Sequence, residues 1–192
     1  MISVGAFGLG ACAGLAFGVV HWRRALATEY KQTRALYVER LAEQSGPIDT
    51  LVLGDSIAET TLLDGACGRT FNAGVGNARA QVAEEIARIA IPRLHPKSIV
   101  VEIGTNYFVY GDNPEFETDY RELISEMPHD AKLVLVGTPR SETANAFIRQ
   151  TAQRIGARYV APITGDLTIE GVHPTRRGAE ELRRRIEGAC MS

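Results

Sequence analysis

The sequence predicts a three-layer α/β/α domain on a parallel sheet, led into by an apolar N-terminal helix. Three observations carry this. From Ile48 onward, short leucine-rich and β-branched runs alternate with amphipathic stretches of helical period, the pattern of parallel strands joined by crossover helices. The runs are continuously apolar, as strands buried on both faces require. Residues 1–20 carry no charged side chain, unlike everything after them.

Taken in order, Met1 to Val20 at about 1.5 Å per residue spans the roughly 30 Å of a bilayer's hydrocarbon core, so a membrane helix is expected over 1–22. Gly10, Gly14 and Gly18 repeat at four-residue spacing and give this helix a face of small side chains suited to helix–helix self-association. A cleaved signal peptide is the competing reading, since Ala25-Leu26-Ala27 resembles a cleavage site, although the basic start is missing and Arg23-Arg24 intervene. The result is a single-pass, membrane-anchored chain. The excess of Arg and Lys after the span points the domain to the cytoplasm by the positive-inside rule, without settling the side. A connector over 23–46 reads as helix, with Leu26, Tyr30, Leu36, Tyr37 and Leu41 at helical intervals.

The domain proper covers 47–192. Strands are expected at Thr50–Leu53, Thr70–Ala73, Ser98–Ile103, Lys132–Gly137 and Arg158–Ala161, and helices at Ala78–Arg93, Pro114–Met127, Glu142–Ile155 and Thr175–Gly188. At 192 residues there is material for one such core. The net charge of -2, from 21 basic and 23 acidic residues, gives no general attraction to nucleic acid. Cys12, Cys67 and Cys190 are odd in number and far apart, so no disulfide framework or metal-ligand spacing is expected, and Cys67 and Cys190 read as buried small hydrophobes. The arginines of 176–185 read as the solvated face of the last helix.

In sheets of this kind, sites gather at the carboxyl ends of strands, and four polar groups fall on or near such ends. Gly54-Asp55-Ser56 follows the first strand directly. A serine hydroxyl needs a base within hydrogen-bond reach, and the base needs a partner for its other ring nitrogen. His173 is a candidate base, and Glu170, three residues earlier, a candidate partner. Helix capping by Asp55 or Ser56 is the structural alternative. Gly74, in Phe71-Asn72-Ala73-Gly74-Val75-Gly76-Asn77, suits a backbone N–H donor to an oxyanion or an ordinary tight turn. Asn106, in Glu102-Ile103-Gly104-Thr105-Asn106-Tyr107, suits a side-chain donor of the same kind. There is no Gly-x-Ser-x-Gly elbow and no phosphate-binding Gly-Lys loop.

Together these four blocks, with Val172-His173-Pro174-Thr175 as the last, resemble the SGNH hydrolase superfamily, the GDSL-type esterases and lipases. The resemblance implies a flavodoxin-like sheet of five parallel strands and no metal or organic cofactor. It implies a serine esterase with Ser56 as nucleophile, His173 as general base, and the N–H groups of Ser56 and Gly74 with the Asn106 amide as oxyanion hole. This chain departs from the family pattern twice: Tyr107 stands where an aspartate follows the asparagine, and Glu170 stands where the triad acid is usually aspartate. Asp166 is the substitute acid if the loop turns differently. Tyr107, Phe108 and Tyr110 are placed to line an acyl or sugar subsite, and the lack of a long lid insertion favours small acyl groups, such as O-acetyl esters of a glycan or short-chain esters. Two other functions fit the same residues: an acyltransferase using a glycan hydroxyl as acceptor, and an inactive, membrane-tethered binding or assembly module.

Overall fold

The apolar strands form one five-stranded parallel sheet. The computed structural model describes residues 28–63, 65–109, 111 and 113–191. The membrane span expected over 1–22, with Gly10, Gly14 and Gly18, lies outside the described residues, and so does Tyr110. Among the described residues, no helix is long and apolar enough to cross a membrane.

Helix α1 covers residues 28–45. It is followed by β1 (Thr50–Gly54), α2 (Ser56–Thr60), β2 (Thr70–Asn72), α3 (Ala80–Leu94), β3 (Ser98–Glu102), α4 (Phe116–Ser125), β4 (Lys132–Val136), α5 (Glu142–Ile155), β5 (Arg158–Val160), the short strands β6 (Thr168–Ile169) and β7 (His173–Pro174), and α6 (Arg176–Cys190). Each expected strand falls within two residues of an observed one. The sheet order is β2-β1-β3-β4-β5, all parallel. The order reverses between β1 and β3, and the crevice at such a switch point is where ligands bind in open α/β sheets.

Side chains alternate across the sheet, as strand geometry demands. Leu51, Leu53, Ile99, Val101 and Leu135 enter a core with α1, α3, α4 and α5, whereas Val52, Val100, Val134, Val136 and Val160 enter a second core with α2 and α6. In the first core, Phe116 meets Tyr120 and Phe147 with ring centroids 5.3 and 5.9 Å apart. Where β1 reaches the switch point the backbones crowd: a Cβ on Gly54 would lie 1.9 Å from the Glu102 carbonyl oxygen, so only glycine fits.

On α1, Leu36 and Tyr37 are each 54% exposed, and the helix packs through Ala35, Val38, Leu41 and Ala42, with Arg34 hydrogen-bonded to Gly74 and Asn72. One expectation is corrected. Cys67 and Cys190 are not isolated hydrophobes: they form a disulfide, with Cα atoms 5.4 Å apart. Helix α6 runs back along the sheet and ends beside the starts of β1 and β3, where the loop before β2 also passes. The 123 residues between the cysteines conceal this meeting from the sequence. Of the α6 arginines, Arg176, Arg177 and Arg184 are exposed as expected, whereas Arg185 is half-buried and donates to Ala161 O and Pro162 O at 3.2 and 2.9 Å; Glu181 pairs with Arg184 and Arg185 at 2.9 and 2.7 Å.

Candidate active site

Ser56 and His173 are brought together across 117 residues, with Ser56 Oγ 3.1 Å from His173 Nε2. Local physics places each of them. Asp55 is the N-cap of α2, accepting the Ile57 N–H at 3.0 Å, so Ser56 becomes the first helical residue and its own N–H lacks an intrahelical acceptor. The capping reading of this segment and the nucleophile reading are therefore both satisfied, by adjacent residues. His173 is held by an antiparallel pair, Ile169 opposite His173. The turn between them, closed by Val172 N–H to Ile169 O at 3.0 Å, puts Glu170 and Gly171 at φ of 57° and 70°, the two left-handed positions of a type I′ turn. Thr175 fixes the far side: its hydroxyl donates to Leu167 O at 3.1 Å and accepts the Gly178 N–H at the start of α6.

The acid is placed differently from the serine and histidine. Glu170 lies exposed in that turn, its carbonyl accepting from Arg140 at 3.3 Å, and among the described residues no carboxylate hydrogen-bonds to His173. Asp166 faces Arg177 at 4.0 Å.

Asn106 is half-buried, and its amide donates to Ala78 O at 2.8 Å. An amide nitrogen carries two protons, so this bond orients the group and leaves a second donor. Gly74 is otherwise engaged. Its N–H donates to Asn72 Oδ1 at 2.9 Å, and a Cβ there would lie 2.3 Å from the Glu59 nitrogen, because the residue is packed against α2. Asn72 ties the end of β2 to the end of α2, donating to Ala58 O and Thr61 O at 2.8 and 2.9 Å. The chain then turns, with Ala78 N–H on Val75 O, and Asn77 adopts φ of 59°. Asn77 and Asn106 line one cavity of about 390 Å³. The signal in the sequence was the Asn-Ala run after Gly76, a residue type that tolerates left-handed backbone.

Tyr107 is buried, and its hydroxyl accepts the Ala80 N–H at 3.0 Å while donating to Asp119 at 2.7 Å. Arg79, the N-cap of α3, makes no side-chain capping bond, so Tyr107 satisfies that helix start while its ring borders the cavity. Burial and the neighbouring Asp119 raise its pKa. Phe108 turns onto Phe116, ring centroids 5.2 Å apart.

Beneath the serine lie two buried carboxyls: Asp55, read from the sequence only as a helix cap, and Glu102. Asp55 and Glu102 are 1% and 4% exposed. Desolvation pushes Asp55 up to about 6, only partly offset by the amide of Ile57 and the nearby groups of Thr105 and Gly104. Glu102 is pushed up to about 8 by desolvation and then by the charge of Asp55, against one hydrogen bond from Thr61. A larger cavity of about 730 Å³ opens at the opposite end of the sheet, among Ser98, Lys132 and Arg158 at the starts of β3, β4 and β5, away from this chemistry.

Neither a family profile nor a curated protein sequence matches the chain. Solved structures do. A Streptococcus pneumonia protein provisionally described as a platelet activating factor superposes with a TM-score of 0.72 at 18% identity, covering 90% of this chain and 98% of its own. A catalytic mutant of an acetylxylan esterase from Geobacillus stearothermophilus gives 0.62 at 15%, covering 76% and 95%. A GDSL-like lipase from Bacteroides thetaiotaomicron gives 0.57 at 14%, covering 85% and 96%. The shared feature is the three-layer α/β/α fold on a parallel sheet, found here and in solved esterases and a GDSL-like lipase.

Proposed function

We propose that the protein is a serine ester hydrolase. The observation that carries this is the 3.1 Å approach of Ser56 Oγ to His173 Nε2 near the topological switch point, with Ser56 at the first turn of α2. Ser56 passes its proton to His173 and attacks the ester carbonyl. The leaving alcohol takes that proton, and His173 then activates water to release the acyl group.

The oxyanion is held by the N–H of Ser56, the second amide N–H of Asn106 and the N–H of Asn77, which takes the role expected of Gly74. Supporting this exchange are the Asn72 bond that occupies Gly74 and the position of Asn77 with Asn106 on one cavity. Glu170, the acid expected from its spacing, makes no bond to His173 in this geometry, and the catalytic unit is the serine–histidine pair. Ser56 is half-buried and His173 exposed, which favours small acyl groups on a larger alcohol. The acetylxylan esterase among the structural neighbours supports acetyl esters of a glycan. Residues 1–20 tether the domain to a membrane, and the Cys67–Cys190 bridge supports an oxidising, non-cytoplasmic side against the charge rule.

Hydrolysis of 4-nitrophenyl acetate and of acetylated oligosaccharides is the test. Activity lost in Ser56→Ala and lowered about 100- to 1,000-fold in Asn106→Ala is expected. Full activity in Ser56→Ala overturns the assignment.

A further inference from the structure

We propose that the cavity beside Asn106 binds a negatively charged part of the substrate, with Lys31 of α1 and Arg79 as its cations. The inference rests on the ester-hydrolase reading and names the substrate class: an ester bearing a carboxylate or phosphate.

The cavity, about 390 Å³, is at the small end of ligand pockets and is lined by Lys31, Asn77, Arg79, Asn106, Tyr107 and Asn113, among others. None of the described residues lining it is acidic. Lys31 is half-buried, and no described carboxylate pairs with it. An anionic ligand in the cavity would pair with this cation, which no described carboxylate does. Arg79 reaches Glu115 at 3.4 Å, a pair with side chains 43% and 65% exposed and so of little worth, while its guanidinium lies 4.9 Å over the Tyr107 ring and is held at the cavity.

Lys31 is not free to wander. It lies on the docked face of α1, one turn from Arg34, which donates to Gly74 O and Asn72 O at 3.1 and 3.2 Å and pairs with Glu59 at 3.2 Å. Tyr30 donates to the same glutamate, whose other oxygen accepts the Gly76 N–H at 2.8 Å. The helix preceding the catalytic domain is therefore built into the wall of the site. Because Asn106 both borders the cavity and faces the developing oxyanion, a group bound there belongs to the reacting molecule.

The experiment compares kcat/KM for matched esters. The pairs are 4-acetoxybenzoate against 4-acetoxybenzamide, with charge on the leaving side, and mono-4-nitrophenyl succinate against 4-nitrophenyl butanoate, with charge on the acyl side. A further ester, 4-acetoxyphenyl phosphate, separates phosphate from carboxylate. At low salt the anionic member of one pair is preferred by roughly tenfold, through KM, and the preference shrinks as salt is raised. In Lys31→Gln/Arg79→Gln the anionic-to-neutral ratio falls about tenfold, while thermal unfolding confirms a folded protein. Ratios at or below one in both pairs, or a ratio unmoved by the double substitution, overturn the subsite. Titration calorimetry of the anionic esters with Ser56→Ala, with and without Lys31→Gln, keeps the two readings apart. Lys31-dependent binding by a protein that hydrolyses no ester supports the subsite and overturns the hydrolase. Hydrolysis of neutral esters without Lys31-dependent binding does the reverse.

Discussion

Replacing Glu102 by glutamine removes the most strongly perturbed carboxyl beneath Ser56, and its raised pKa gives the sign and the rough size of the effect. Its pKa stands at about 8 in the fold, against 4.5 for the free side chain. Below pH 4.5 both folded and unfolded chains hold the proton, and stability is unaffected. Between 4.5 and 8 the folded chain binds the proton more tightly than the unfolded one, so stability falls as pH rises, by about 1.4 kcal/mol per unit. Above pH 8 the loss is complete and levels off. The full window corresponds to at most about 5 kcal/mol. Asp55, raised to about 6 by desolvation, adds to the same slope in parent and variant alike. Glutamine keeps an oxygen for Thr61 and carries no charge, so Glu102→Gln is expected to match the parent near pH 4.5 and to exceed it by several kcal/mol at pH 8. Urea unfolding at both pH values, read as a change in midpoint with unchanged slope, measures this. An equal difference between variant and parent at the two pH values refutes the reasoning.

Three other outcomes follow from the geometry. Glu170→Gln lowers kcat no more than about tenfold, because the carboxylate makes no resting bond to His173, and steady-state rates checked against His173→Ala decide it; a loss near the 10,000-fold of an engaged triad acid contradicts this. Cys67→Ser, which opens a closure spanning 123 residues, costs about 2–5 kcal/mol by chemical unfolding, with reduction of the parent giving the same shift. Tyr107→Phe strips the acceptor from the Ala80 N–H and the donor from Asp119, destabilising the protein by about 1–3 kcal/mol in thermal or urea unfolding; a neutral change would show that solvent replaces both bonds.

The fold was legible because its rule is local: continuous apolar runs such as Ser98–Glu102 and helical period in Glu142–Ile155 each announce one element. The approach of Ser56 to His173 and the place of Asn106 after β3 were legible as positions, because each follows a strand or lies in a loop near a strand end. What escaped depended on long-range contacts. The Cys67–Cys190 bridge joins distant segments, Gly74 is closed off by α2, and Tyr107 takes up a helix-capping duty that no spacing announces. The role of α1 escaped for another reason. Its apolar residues Leu36 and Tyr37 point outward, while Val38 and Ala42 enter the core and Arg34 and Tyr30 tie the helix to Gly74, Asn72 and Glu59. The buried carboxyls escaped because glutamate in a strand gives no hint of burial until the neighbouring backbone closes over it.

The central claim is that Ser56 is a nucleophile activated by His173, and a fluorophosphonate tests it most directly. Intact-mass measurement after incubation is expected to show one phosphonyl adduct, mapped to Ser56, absent in Ser56→Ala and formed far more slowly in His173→Ala. An adduct on another residue, or undiminished labelling of Ser56→Ala, would contradict the account.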